Sequence, residues 1–184
     1  MSAPTVLLDA CTLVPIRLTS CLLSLAEAGL FVPLWSDEIL EEVERNLPRL
    51  NGMDPEKARR RVVAIREAFG DEAAVEGYED MVPRLSCDPK DRHVLAAAIV
   101  GGADVLATFN LQDFPLESVE PHGVVALHPD NFLTTLLNHE PEATLEVLRA
   151  DAARYRRPPT TLAEYLNGLR ATVPRFADRV AGLG

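Results

Sequence analysis

The chain has 184 residues, 47% of them hydrophobic, a net charge of −10 and three cysteines, a size that suits one domain with at most a small appendage. No apolar run is long enough to span a bilayer, and MSAPTVLLDA lacks a basic region followed by a long apolar stretch, so neither a membrane span nor a signal peptide is expected. Cys11, Cys21 and Cys87 are an odd set without CxxC spacing, which argues against structural zinc and makes the cytoplasm the expected compartment. The acidic balance is awkward for a simple nucleic-acid binder, which usually shows a basic face. It is uneven, however: residues 1–140 carry 11 Lys/Arg against 23 Asp/Glu, and residues 141–184 carry 7 against 5. Solubility accounts for such an imbalance; so does a cluster of carboxylates that needs divalent cations.

In chain order, residues 5–8 form a short apolar run, predicted as the first strand, and it ends directly in Asp9. A loop through Cys11, Thr12 and Pro15 leads to a helix over 19–28, with Leu22, Leu23, Leu25 and Ala26 inward and Gly29 as its stop. Residues 30–35 are extended and apolar, and Pro33 makes this strand an edge or irregular one. Ser36 then caps a helix over 36–47 whose first turn carries Asp37 and Glu38, as the helix dipole favours. Ile39, Leu40, Val43 and Leu47 are its buried stripe, and Glu42 sits at the border of that stripe, where solvation alone would explain it. Asp54-Pro55 opens a helix that runs to Phe69, with an Arg59-Arg60-Arg61 face that is either solvated or in contact with phosphate. Residues 70–87 are acidic and weakly patterned, a loop with a short element near 78–82.

Asp88-Pro89 is a helix-start signal, Val94, Leu95, Ala98 and Ile99 follow at helical spacing, and Gly101-Gly102 stop the helix. Residues 104–108 are short enough for a strand buried on both faces, followed by a polar loop with Asn110 and Asp113. Residues 123–127 are the last predicted strand. From Pro129 the chain is helical, over 130–138, 141–154 and 161–172, the last opening on the capping-box pattern Thr161-x-x-Glu164, with a connector at 155–159. Strands alternating with helices imply an α/β fold, a doubly wound parallel sheet flanked by helices. The division expected is a first unit over residues 1–128 and a C-terminal helical extension over 129–184.

No GxGxxG, Walker-type loop or GxSxG elbow is present, and the four histidines lack metal-ligand spacing. What remains is acidic: Asp9, Glu42, Asp91 and Asp113. Parallel sheets place their chemistry at the carboxyl ends of strands, where Asp9 and the loop of Asp113 can face one crevice and a helix opening there can add Asp91. Carboxylates a few ångströms apart repel by about 4 kcal/mol per close pair at an effective dielectric near 20. They persist when some protonate or a cation sits among them, and hard oxygen donors suit Mg²⁺ or Mn²⁺. Helix capping accounts for Asp88, and a favourable place in a helix's first turn could account for Asp91 without any metal.

The sequence resembles the PIN-domain family, which includes the VapC-type toxins of bacterial toxin–antitoxin pairs. The matching stretches are LLDACTLV from Leu7, WSDEILEEVERNL from Trp35, DPKDRHVLAAAIVGGADVLATFNLQDF from Asp88 and VVALHPDNFL from Val124, together covering about residues 4–133. The resemblance implies a PIN-like fold and a metal-dependent endoribonuclease, a nuclease and phosphodiester hydrolase. It implies that Asp9, Glu42, Asp91 and Asp113 hold Mg²⁺ or Mn²⁺, with Asn110 and Thr12 in support. It further implies an RNA substrate, a cognate antitoxin and a possible homodimer. One position departs from the pattern: many relatives have Asn or Ser two residues after the first acid, where this chain has Cys11. Two other readings compete, a non-catalytic protein-binding module on the same fold and a DNA or flap nuclease using the same acids.

Overall fold

The computed structural model describes residues 3–156 and 158–183. Its centre is a four-stranded parallel sheet in the order β2-β1-β3-β4, formed by β1 (Thr5–Leu8), β2 (Val32–Leu34), β3 (Val105–Ala107) and β4 (Val125–Leu127). Val6, Leu7 and Leu8 are fully buried, as are Leu106 and Ala107 of β3. Unbroken apolar runs rather than alternation mark these two strands because helices cover both faces of the sheet. Each fully buried Val or Leu contributes about 1.5–3 kcal/mol. Pro33 lies on β2, which pairs with β1 alone, so its missing N–H is lost on the free side of an edge strand.

Between β1 and β2 lie a one-turn helix α1 (Ala10–Leu13) and α2 (Ile16–Glu27). The predicted helix over 19–28 thus starts three residues early, just after Pro15, whose fixed φ suits entry into a helix. α3 (Asp37–Asn51) is capped by the Ser36 hydroxyl, which accepts from the amide of Ile39 at 3.2 Å. It continues past the expected end at Leu47, through Pro48, and stops at Gly52 with φ +61°. α4 (Pro55–Phe69) follows as expected, the Asp54 carboxylate accepting from the amides of Glu56 and Lys57. The weakly patterned stretch over 70–87 contains two 3-10 turns, Asp71–Ala73 and Val82–Arg84.

α5 (Arg92–Val100) begins later than the Asp88-Pro89 signal implied. Asp88 instead closes a turn, its Oδ1 accepting from the amide of Lys90 and its carbonyl from the amide of Asp91. Pro89 therefore belongs to that turn, and Asp91 is the residue before the helix. Gly101 ends α5 against β2: a Cβ there would stand 2.7 Å from Leu34 Cδ1 and 2.8 Å from Val75 Cγ2. After β3 come a 3-10 turn (Leu111–Asp113), α6 (Leu116–Val119) and β4.

The C-terminal helices are α7 (Pro129–His139), α8 (Pro141–Arg154), α9 (Leu162–Leu169) and α10 (Pro174–Ala181). The capping box at Thr161 and Glu164 is formed. The sequence reading has no counterpart for α10, whose first amides are capped from a distance: the Asp130 carboxylate accepts from the amides of Arg175 and Phe176 at 3.1 and 2.8 Å. The tail is joined to α2 through Asp151, which is 2% exposed and accepts from Ser24 Oγ at 2.7 Å and Tyr165 Oη at 2.6 Å. Phe132 meets Phe31 edge to face, and the apolar core runs without interruption from the sheet into the tail. Among the described residues no helix is long and apolar enough to cross a membrane.

Candidate functional site

Chain order reverses between β1 and β3, since β1 leads outward to β2 on one side and adjoins β3 on the other. Such a switch point opens a crevice beyond the carboxyl ends of the two strands. Asp9 is the residue after β1, and its amide extends the ladder by donating to the Ala107 carbonyl at 3.1 Å. It precedes α1 but makes no capping bond with its side chain. The carboxylate is 4% exposed, and its Oδ2 accepts from Thr108 Oγ1 at 2.7 Å and from the Cys11 thiol at 3.0 Å. Burying a carboxylate is expensive unless it is hydrogen-bonded, and these two donors hold it in place.

Thr108 is itself aligned by the amide of Asn110, which donates to its hydroxyl at 3.0 Å, while the amide of Phe109 donates to Cys11 Sγ at 3.3 Å. Burial and the negative charge of Asp9 raise the Cys11 pKa, so the thiol keeps its proton and serves as a donor. Cys11 therefore fills, as a thiol, the hydrogen-bonding place that the departure from the pattern put in question. Thr12 is fully buried, and its hydroxyl donates to the Asp9 carbonyl at 2.7 Å. That bond fixes the backbone of Asp9. Thr108 was not singled out in the sequence, and Cys11 only as a departure from the pattern; the pairing of β1 with β3 places Thr108 beside Asp9.

Asp91 also precedes a helix without capping it. Its carboxyl is pushed up from 3.8 to about 6, first by burial and then by the charges of Asp9, Asp113 and Asp88, with His93 pulling the other way. The acids that are far apart in sequence thus share one electrostatic field. Asp113 is half-buried on its 3-10 turn, and its carbonyl accepts from the amide of Asp88 at 3.3 Å, which ties that turn to the start of α5. His93, half-buried in the first turn of α5, bonds through Nδ1 to the Lys90 carbonyl at 2.9 Å.

Glu42 comes in from α3. Its Oε1 accepts from Asn46 Nδ2 at 3.4 Å, and both line a cleft of about 420 Å³ together with Cys11, Pro15, Phe109 and Asn110. Thr172, from the segment between α9 and α10, also contributes to that wall. Asp9, Asp91 and Asp113 do not line this cleft; Cys11, which donates to the Asp9 carboxylate, does. Among the described residues no three His, Cys, Asp or Glu side chains already stand close enough together to hold an ion. The acids share a field rather than a finished coordination sphere. As donors they fit a hard divalent cation: oxygen atoms predominate, and the one nearby sulfur is protonated.

A sequence model described as PIN domain matches residues 5–112, and one described as VapC50 C-terminal domain matches residues 129–182. The chain is 40% identical over 107 residues to a protein of Mycobacterium tuberculosis (strain ATCC 25618 / H37Rv) named "Putative ribonuclease VapC50". The matched stretch covers 58% of this chain and 63% of that relative. No solved structure matches.

Proposed function

Because the chain belongs to the PIN-domain family, we propose that it is a metal-dependent endoribonuclease that hydrolyses RNA phosphodiester bonds, the toxin of a type II toxin–antitoxin pair working in the cytoplasm. The observation that carries this reading is the buried Asp9 carboxylate just beyond β1, held on Oδ2 by Thr108 and Cys11, beside an Asp91 whose pKa is raised by burial and by the charges of Asp9, Asp113 and Asp88. RNA enters through the relative, whose printed name is that of a ribonuclease. The division of labour falls at 128/129, with the acids in the first part and the helical extension in the second. A cognate antitoxin and a homodimer are the protein partners this reading brings with it.

In this proposal Asp9, Asp91 and Asp113 hold Mg²⁺ or Mn²⁺, with Glu42 as a further ligand or joined through water. When bound, the ion supplies Lewis acidity: it lowers the pKa of a water and offsets the charge that gathers on the phosphate. The chain's own residues supply orientation. Thr108 and Cys11 occupy Oδ2 of Asp9 and so leave Oδ1 as its open donor. Thr12 fixes the backbone from which that carboxylate projects, and Asn110 lines the same cleft as Glu42. Asp91 spends no oxygen on capping its helix, so both of its oxygens remain for the crevice. Below about pH 6 Asp91 would keep its proton, and a cation would compete for the same lone pairs.

The test is cleavage of single-stranded RNA by the full chain with Mn²⁺, beside Asp9→Asn and Asp91→Asn, with Mn²⁺ binding followed by titration calorimetry. The expected result is RNA cleavage that both substitutions abolish, with Mn²⁺ affinity lowered in each. Equal inertness of wild type and variants toward a broad set of RNAs, together with no Mn²⁺ binding, would leave a protein-binding module as the better account. Cutting of structured DNA in preference to RNA would instead assign the same acids to a DNA nuclease.

A further inference from the structure

A second group of charged side chains lies near the cleft wall formed by Val14 and Pro15 and takes no part in the chemistry of the acids. Arg17, in the first turn of α2, lies over the ring of Tyr155 in the connector after α8, with Cζ 5.3 Å from the ring centroid. Arg61 of α4 reaches the same corner, its Nη2 donating to the Ile16 carbonyl at 3.3 Å, within the electrostatic influence of Tyr155. Both arginines are half-buried. Arg17 Nη1 and Arg61 Nε are buried with no hydrogen-bond partner among the described residues. Nor does either guanidinium stand in an ion pair among the described residues, although Asp and Glu outnumber Lys and Arg by 28 to 18 in the chain.

A buried, charged donor without an acceptor is costly, and an acidic chain has many carboxylates with which to satisfy one. The fold also makes room for the arrangement. α9 carries Gly168 where any side chain would collide with Cδ and Nε of Arg17. The corner adjoins the cleft directly, since Val14 and Pro15 line the cleft, Ile16 holds Arg61, and Arg17 is the next residue. Two planar forks of N–H donors match the oxygens of a phosphate better than those of any neutral ligand.

We propose that Arg17 and Arg61, gathered around Tyr155, form a phosphate-binding site for the RNA backbone on one flank of the bond that is cut. This rests on the reading of the protein as a ribonuclease and adds to it the group that engages the strand outside the acidic crevice. The site exists because the connector after α8 folds back onto α2 and α4, so the helical extension is part of the substrate-binding surface. It also reconciles the acidic chain with a polyanionic substrate, by placing unpaired positive charge at one corner of the cleft.

The experiment follows binding of a fluorescent single-stranded RNA to the full chain, with Ca²⁺ in place of Mn²⁺ and across a salt series. The variants are R17Q/R61Q and R17K/R61K, each checked by circular dichroism and thermal melting. The glutamine pair is expected to bind about tenfold more weakly, with the slope of log K against log salt reduced by about 0.7 for each phosphate no longer neutralised. The lysine pair should keep most of the slope and recover part of the affinity. Should the glutamine pair fail to fold, R61Q alone, which leaves the Arg17–Tyr155 stack in place, is expected to lower affinity and slope by the smaller share due to Arg61. Unchanged affinity and slope in a folded variant, with wild type binding RNA, would overturn this proposal and leave the ribonuclease reading standing. Absence of RNA binding by wild type would overturn both. A parallel titration with inorganic phosphate, read from the arginine Nε–H signals, separates the sources. If phosphate shifts Arg17 and Arg61 while RNA affinity ignores them, the site takes a free anion and the RNA proposal is wrong.

Discussion

The fold disfavours the charge on Asp91, so removing that charge should make the metal-free protein more stable. The carboxyl is raised from 3.8 to about 6. At about 1.36 kcal/mol per tenfold change in proton affinity, the gap corresponds to about 3 kcal/mol. The side chain is only partly buried, and solvent screening reduces this to about 1–1.5 kcal/mol. The native state holds this proton more tightly than the unfolded chain between about pH 4 and 6, so stability falls as pH rises through that window. Above about pH 6 the whole penalty is present. Asp91→Asn removes it and sacrifices no capping bond, because the Asp91 side chain makes none. In chelator at pH 7 the variant should melt about 3–5 °C above wild type, given about 2–4 °C per kcal/mol for a chain of this size. The advantage should shrink toward zero as the pH approaches about 4. Saturating Mn²⁺ should reverse the order at pH 7, since ligand at about a hundredfold its Kd stabilises by about 2.7 kcal/mol and the variant has lost a ligand. Calorimetric melts of the two proteins at several pH values, with and without Mn²⁺, make the measurement. A variant less stable than wild type in chelator at pH 7, or an increment that does not change with pH, would refute the electrostatic account.

Thr108→Val should cost about 1.5–3 kcal/mol in urea unfolding, since it strips a donor from a buried carboxylate, and it should weaken Mn²⁺ binding while leaving the Asp9 side chain present. Asp151→Ala leaves the hydroxyls of Ser24 and Tyr165 buried and unpaired, for an expected loss of about 3 kcal/mol, with hydrogen exchange rising first in α8 and α9. Gly101→Ala should destabilise by about 1–3 kcal/mol because its new Cβ must displace Leu34 and Val75; a neutral result in the same unfolding assay would show that the end of β2 can move aside.

The places of Asp9 and Asp113 relative to the sheet were legible because they follow from rules of position. Asp9 comes straight after an apolar run, and Asp113 lies in the loop after another, so a parallel sheet sends both to the same edge. Asp91 was legible as an acid near a helix start, but the start itself was misplaced at Asp88. Asp-Pro is the stronger local signal, and only the hydrogen bonds of the folded turn show that Asp88 serves Lys90 and leaves Asp91 uncommitted. Thr108 and Cys11 illustrate what one dimension hides. Thr108 reaches Asp9 only because β3 lies beside β1, a pairing across 99 residues that no spacing rule encodes. The thiol of Cys11 bonds two residues back but is oriented by the Phe109 amide from beyond β3. α10 escaped for a related reason. Pro174 suits a first helical turn, but the cap that completes it comes from Asp130, 46 residues away from Phe176.

The bond from the Asp88 amide to the Asp113 carbonyl joins two pieces of backbone that each carry an acid of the crevice. The segments that carry Asp91 and Asp113 are therefore tied to each other by backbone, whereas Asp9 is tied to the sheet through its amide on the Ala107 carbonyl, so the three acids hang from two separate frames.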